Sequence, residues 1–192
     1  MMAYRWGRGA LALVIGLAAV GPSAAQQRRP PLEARPFAGI YIPAGGQRDV
    51  VNDALVVGIQ GGMRIESVTL TSTFTYARTD NRRAGATEAI NIYQLDWGIE
   101  RALGPPRAPG GWRPLGGAGF GVRVYDSREP DADPRRSLFA FVAGGLVRES
   151  RRAAPRLEVR AQGSRYAGVG ARESASFRVD LTATIGLVLA IP

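Results

Sequence analysis

From Phe37 onward, hydrophobic and polar residues alternate one by one, in segments separated by turn-forming residues. In Val68-Thr69-Leu70-Thr71-Ser72-Thr73-Phe74-Thr75-Tyr76, threonine holds every second position and apolar or aromatic residues hold most of the others. A period of two marks a β-strand whose faces meet different environments, because successive side chains point to opposite sides. The last segment repeats the pattern: Phe177, Val179, Leu181, Ala183, Ile185, Leu187 and Leu189 alternate with Arg178, Asp180, Thr182 and Thr184. A slip of one residue would exchange the two faces, so the register is strongly specified. No segment in this region shows the spacing of an amphipathic helix.

Eight strands are predicted, near residues 37–43, 54–64, 68–78, 89–101, 114–125, 137–148, 156–166 and 175–191. Turn chemistry separates them, at Pro43-Ala44-Gly45-Gly46, Thr79-Asp80-Asn81, Gly104-Pro105-Pro106, Asp131-Ala132-Asp133-Pro134 and Gly168-Val169-Gly170. Most segments run about 10–12 residues, the length of a tilted strand crossing a bilayer, whereas strands of soluble proteins average nearer 5 or 6. An even count allows up-and-down closure with no unpaired edge. At eight strands the interior is filled by side chains and holds no open channel. Gly117, Gly119 and Gly121 share one face of the fifth segment, where bulky inward neighbours need room. The same run lacks the full G-x-G-x-x-G spacing and no helix follows it, which argues against a phosphate-binding loop.

With the apolar face turned outward, the interior receives Gln60, Arg64, Gln94, Asp96, Glu100, Arg123, Glu158, Arg160, Arg178 and Asp180. Mixed signs suit a closed lumen, where an unpaired charge is costly. The opposite faces are long, lack charges and carry Tyr76, Tyr93, Trp97 and Phe177, aromatics suited to the headgroup level of a bilayer. In the sixth segment both parities of Leu138–Val147 are apolar, so its faces stay unassigned. If both termini lie on the periplasmic side, the connections near 44–53, 79–88, 126–136 and 167–174 face out of the cell. Those near 65–67, 102–113 and 149–155 face inward. The connection around Pro105–Trp112 is long for its side, since outer loops are usually the longer ones.

The first residues change the picture from fold to destination. Arg5 and Arg8 precede an apolar run, Ala10–Val20, which Gly21-Pro22 breaks before the small residues Ser23-Ala24-Ala25. This reads as a cleavable secretory signal peptide over residues 1–25, because the run is well short of the roughly 20 residues of a spanning helix. Gln27-Arg28-Arg29-Pro30-Pro31 cannot pack, and residues 26–36 are read as a polar, proline-rich tether before a barrel domain over residues 37–192. Loss of Arg5 and Arg8 takes the formal charge from +9 to +7. All 25 basic residues are arginine, and they are scattered rather than clustered, so no nucleic acid is expected as partner.

The chain has no Cys, His or Lys. That excludes disulfides and the usual thiol and imidazole metal sites, together with Ser-His, Cys-His and Ser-Lys nucleophile systems. No cofactor and no metal are expected. Paired carboxylates remain as chemistry: Asp96 with Glu100, or Glu158 with Asp180, could act as acid and base. The plainer reading makes them ion-pair partners of Arg123, Arg160 and Arg178. Arg82, Arg83, Arg135, Arg136 and Arg172 fall in expected outer loops, where guanidinium forks fit the phosphates of lipopolysaccharide or serve as ordinary solvated charge.

The signal peptide, eight alternating segments and polar interior parity resemble the small outer-membrane β-barrel superfamily, which includes outer membrane protein A transmembrane domains and their OmpX- or OmpW-like relatives. The resemblance is one of pattern over residues 37–192. It implies an eight-stranded antiparallel up-and-down transmembrane barrel in the cell outer membrane, with outer-membrane lipid and the barrel insertion machinery as partners. Members of the superfamily usually end on an aromatic residue, whereas this chain ends Leu189-Ala190-Ile191-Pro192. The expected role is a non-enzymatic one in envelope structure or surface interaction. A soluble exported carrier of a small apolar ligand, built like a lipocalin, and a barrel enzyme using a carboxylate pair are the other readings.

Overall fold

The computed structural model describes residues 32–44, 48, 51–81, 88–105, 110–127, 135–148, 153–166 and 176–191. Signal peptide residues 1–25 and tether residues 26–31 lie outside them. The described residues form eight strands: β1 (Leu32–Pro43), β2 (Ala54–Ile65), β3 (Val68–Asn81), β4 (Glu88–Ala102), β5 (Trp112–Ser127), β6 (Arg135–Arg148), β7 (Ala153–Tyr166) and β8 (Ser176–Ile191). Each pairs antiparallel with its neighbour in sequence, and β8 pairs with β1, so the sheet closes in the order β1 to β8. The fold is the all-β, eight-stranded up-and-down barrel that the alternation predicts.

Boundaries differ from expectation where proline or charge interrupts the pattern. β1 starts at Leu32, so residues 32–36 are strand rather than tether. Its inward face therefore begins with Glu33 and Arg35, both buried. β3 runs to Asn81, β5 runs from Trp112 to Ser127, and β6 starts at Arg135. Arg135 and Arg136 are accordingly strand residues, not loop residues.

Residues Leu32 and Ile191 lie at one end, called here the terminal end, and Pro43 and Ser176 lie at the other, the loop end. The terminal-end connections are 66–67, 103–111 and 149–152. Those of the loop end are 44–53, 82–87, 128–134 and 167–175. The inner connection expected at 102–113 thus shortens at both ends. At Glu66-Ser67 the turn has only two residues, with Glu66 at φ 52°. In the nine-residue span 103–111, Gly104 and Gly110 take φ of 75° and 87°, where glycine carries no Cβ penalty.

The ambiguity in β6 resolves on packing. Phe139 and Phe141 point inward and are buried, whereas Leu138 and Val142 are exposed. The glycines opposite explain this choice. A Cβ on Gly119 would stand 2.6 Å from the Phe141 ring, and one on Gly121 would stand 2.7 Å from the Phe139 ring. Gly98 meets the Phe141 ring in the same way at 2.9 Å. Two rings thus occupy the space that three side chains vacate. The β1–β8 ladder, in contrast, skips two rungs: it runs from Leu32↔Ile191 to Ala34↔Leu189 and resumes at Phe37↔Gly186. Pro36, which has no N–H to donate, lies in the gap.

These contacts make glycine indispensable at one position and free at another. Gly119→Val puts a branched side chain where a Cβ alone is 2.2 Å from the Trp97 carbonyl oxygen. It should abolish the folded, boiling-sensitive band on a denaturing gel. Gly144→Ala, whose Cβ meets nothing within 4 Å, should leave that band unchanged.

Candidate functional site

Inward positions of all eight strands meet in a lumen with two different halves. Towards the loop end it is apolar: Tyr41, Val51, Ala54, Val56, Ala77 and Ile92 form a buried cluster, with Phe37, Ile90 and Tyr125 packed against it. Val51 reaches this cluster because the β1–β2 connection folds back onto β3, where Asn52 N–H donates to the Asp80 carbonyl (3.3 Å) and Thr79 Oγ1 donates to the Asn52 carbonyl (2.8 Å). The expectation of a uniformly polar interior does not extend to this half.

Below the apolar cluster sits Arg123, whose side chain is fully buried with that of Asp180. Its guanidinium donates to Asp180 Oδ2, Gln162 Oε1 and the hydroxyl oxygens of Tyr125 (3.0 Å) and Tyr41 (3.3 Å). The rings of Tyr41 and Phe139 lie 5.3 and 5.2 Å from the same cation, close enough for cation–π attraction. Burying an arginine requires this density of partners, because each unpaired donor would lose its hydration for nothing in return.

Towards the terminal end the charges form one alternating chain. It runs Arg64–Glu33–Arg35–Glu100–Arg156–Glu158–Arg160–Asp96, each link an ion pair. Arg64 and Glu33 stand 2.8 Å apart, and Arg35–Glu100 and Arg160–Asp96 are each separated by 3.1 Å. Four guanidinium groups thus meet four carboxylates, and Glu100 bridges Arg35 of β1 and Arg156 of β7. Gln60 joins by accepting from Arg35 (2.7 Å) and donating to Thr73 (3.1 Å). Arg160 also lies 4.8 Å from the Phe141 ring. Below this chain the lumen widens into a cavity of about 640 Å³ that opens at the terminal end.

The outer faces carry the opposite chemistry. Leu55, Val57, Ile59, Phe74, Ile99, Phe120, Leu138, Val142, Val159, Leu181 and Ile185 are all exposed. Charges on outward positions are confined to the strand ends, such as Arg78 and Asp80 of β3, Arg101 of β4, and Arg136 and Arg148 of β6. An uncharged belt therefore circles the barrel at mid-height.

Neisserial surface protein A matches with a TM-score of 0.63 at 13% identity, over 83% of this chain and 97% of that one. The N-terminal β-barrel domain of Pseudomonas aeruginosa OprF matches with a TM-score of 0.53 at 14% identity, over 85% and 98%. The fold is that of the small outer-membrane β-barrels. No family model and no curated protein matches the chain.

The expected lumen residues distribute over both charge systems of this barrel. Asp96, Glu100, Glu158 and Arg160 belong to the alternating chain, while Arg123 and Asp180 form the deeper pair. Arg64 stands at the rim with 56% of its side chain exposed, tied to Glu33. Arg178 lies half-buried in β8 opposite Ser164, and Gln94 accepts from Gln162 at 3.2 Å. Asp96 and Glu100, and likewise Glu158 and Asp180, are each held by arginine instead of facing one another as an acid–base pair. Among the aromatics, Tyr76 and Tyr93 pack at 5.4 Å between centroids. Phe177 is exposed at the loop end of β8. Trp97 departs from that expectation: it pairs in register with Phe120 at mid-strand, ring centroids 6.2 Å apart. Of the arginines assigned to outer loops, Arg82, Arg83 and Arg172 lie outside the described residues, and Arg136 is exposed on β6.

Sequence reasoning missed Glu33, Arg35, Arg156, Gln162 and the outward Trp112. A signal for three of them existed: Glu33-x-Arg35 and Arg156-x-Glu158-x-Arg160 place opposite charges two residues apart, on one face of a strand. Breaking the deeper pair tests its weight. Asp180→Asn leaves the Arg123 cation buried without its counter-charge and should lower stability by about 3–5 kcal/mol. The double variant Arg123→Met/Asp180→Leu should lose clearly less, both read by urea unfolding of the detergent-folded protein through tryptophan fluorescence.

Proposed function

We propose that the mature chain resides in a bacterial outer membrane as a non-enzymatic barrel with a polar, side-chain-filled central lumen, serving envelope structure or surface interaction. The observation that carries this reading is the uncharged apolar belt on a closed sheet. Apolar surface of that extent is unfavourable in water, and in hydrocarbon only a helix or a closed barrel satisfies every backbone group. The same belt argues against a soluble carrier, as does a lumen whose middle is taken by ion pairs instead of an apolar ligand cavity.

The basic start and short apolar run of residues 1–25 supply the export signal, removed on the way out. Barrel insertion machinery and outer-membrane lipid are the partners this route implies. The terminal end, which carries the two shortest connections and the outer ends of β1 and β8, faces the periplasm; the loop end faces out of the cell. Arg82, Arg83, Arg135, Arg136 and Arg172 then belong to the outer side, where phosphates of lipopolysaccharide are within reach.

One substitution separates the membrane barrel from the soluble one. Phe120 is 65% exposed in the middle of β5. In a bilayer, Phe120→Arg should cost about 2–4 kcal/mol and reduce the heat-modifiable band recovered in the outer-membrane fraction. A soluble barrel would accept the same arginine without loss and be recovered from the periplasm.

A further inference from the structure

Two charge systems share the lumen, and each is neutral. Four guanidinium groups meet four carboxylates in the alternating chain, and Arg123 meets Asp180 in the deeper pair. Between them, two polar atoms are left over. Among the described residues no protein group bonds to Asp180 Oδ1 or to Thr182 Oγ1. Both are buried, Asp180 at 0% and Thr182 at 5% exposure. They occupy successive inward positions of β8, roughly 7 Å apart along the strand. A buried oxygen without a hydrogen bond costs free energy, because it has given up its hydration for nothing. Beside Thr182 there is room for a partner. A cavity of about 10 Å³ is lined by Thr182 together with Gln94, Glu158, Arg160 and Gln162. It lies between the two charge systems. Glu158 and Arg160 belong to the chain, whereas Gln162 accepts from Arg123 and donates to Gln94 at 3.2 Å. A second cavity, of about 20 Å³, shares Glu158 and Arg160 with the first and reaches Arg35 and Arg156. Those two arginines also line the terminal-end opening.

We propose that the cavity beside Thr182 is a binding site for one structural water, which accepts from the Thr182 hydroxyl and donates to Asp180 Oδ1. A single water needs about 10 Å³ of room and about two to four polar partners, and this cavity supplies both. A water bonded to two oxygens joins atoms up to roughly 5.5 Å apart, a span that side chains on successive inward positions of one strand can present. The occupant is uncharged because the charges around it already balance; an ion would leave one charge over in a closed interior. Bound there, the water turns the deeper pair and the alternating chain into one hydrogen-bonded network. Ser137 marks the contrast. Its Oγ is also buried and unpartnered, but Ser137 lines none of the three cavities.

The sign of a stability change separates a hydrated hydroxyl from a bare one. Thr182→Val keeps the shape of the side chain and removes the hydroxyl. With water bound, the variant loses a hydrogen bond and should raise the urea unfolding constant about fivefold, with the gel shift retained. Ser137→Ala deletes an orphan that has no water and should leave that constant unchanged or lower it. A Thr182→Val protein that unfolds no more readily than its parent overturns the proposal. So does a rise at Ser137→Ala as large as the one at Thr182→Val. A crystal structure of the detergent-folded protein gives the direct view. Ordered density within hydrogen-bond reach of both Thr182 Oγ1 and Asp180 Oδ1 is expected, and a bare cavity sinks the idea. An unfolding constant that shifts when choline replaces sodium at equal ionic strength assigns the cavity to a cation and overturns the water. Both readouts use the folded barrel and are blind to which membrane it occupies.

Discussion

An eight-stranded barrel has an interior of one width, set by the number of strands and their tilt, and that width admits side chains and little else. Every inward residue of this protein answers to it. Two phenylalanine rings enter from β6 only because Gly98, Gly119 and Gly121 vacate the facing wall. Arginine enters only where carboxylates, amides or hydroxyls stand within hydrogen-bond reach on other strands. Since the interior offers too little room for a hydration shell, each charge must find its counter-charge in the protein. The result is pairing between strands far apart in sequence, as when Glu100 joins β1 to β7 across the lumen.

This pairing divides the barrel along its axis. The loop-end half is closed by apolar side chains around Tyr41 and Ile92; the middle is occupied by ion pairs, and the terminal-end part opens into a charged vestibule. A membrane barrel needs an apolar exterior and imposes little on its interior beyond filling and neutrality. The gradation from apolar to charged is therefore a property of this sequence.

Much of this was legible in the alternation of residues. Strand number, order and face assignment follow from segments longer than ten residues with a strict period of two, where a wrong register would bury charge and expose nothing useful. The sixth segment was not legible, since Leu138–Val147 is apolar on both parities; only the glycines of β5, distant in sequence but paired directly opposite on the neighbouring strand, decide that Phe139 and Phe141 turn inward. The start of β1 was hidden by Pro31 and Pro36, residues that suggest a tether in isolation. Its strand character comes from pairing with both β2 and β8, a tertiary effect that local propensity does not report. With β1 placed too late, Glu33 and Arg35 were lost from the lumen, and the continuity of the charge chain was lost with them.

The two rungs missing beside Pro36 lie in the pairing that joins the first strand to the last. Of all the strand pairings this one spans the most sequence, so forming it carries the largest loop-closure entropy. The barrel wall is thus interrupted in its ladder along the line where it is also hardest to close. Unzipping under load or heat will begin there, at the terminal end, where the charge chain that Arg35 anchors ties β1 to β4 and β7 and not to β8.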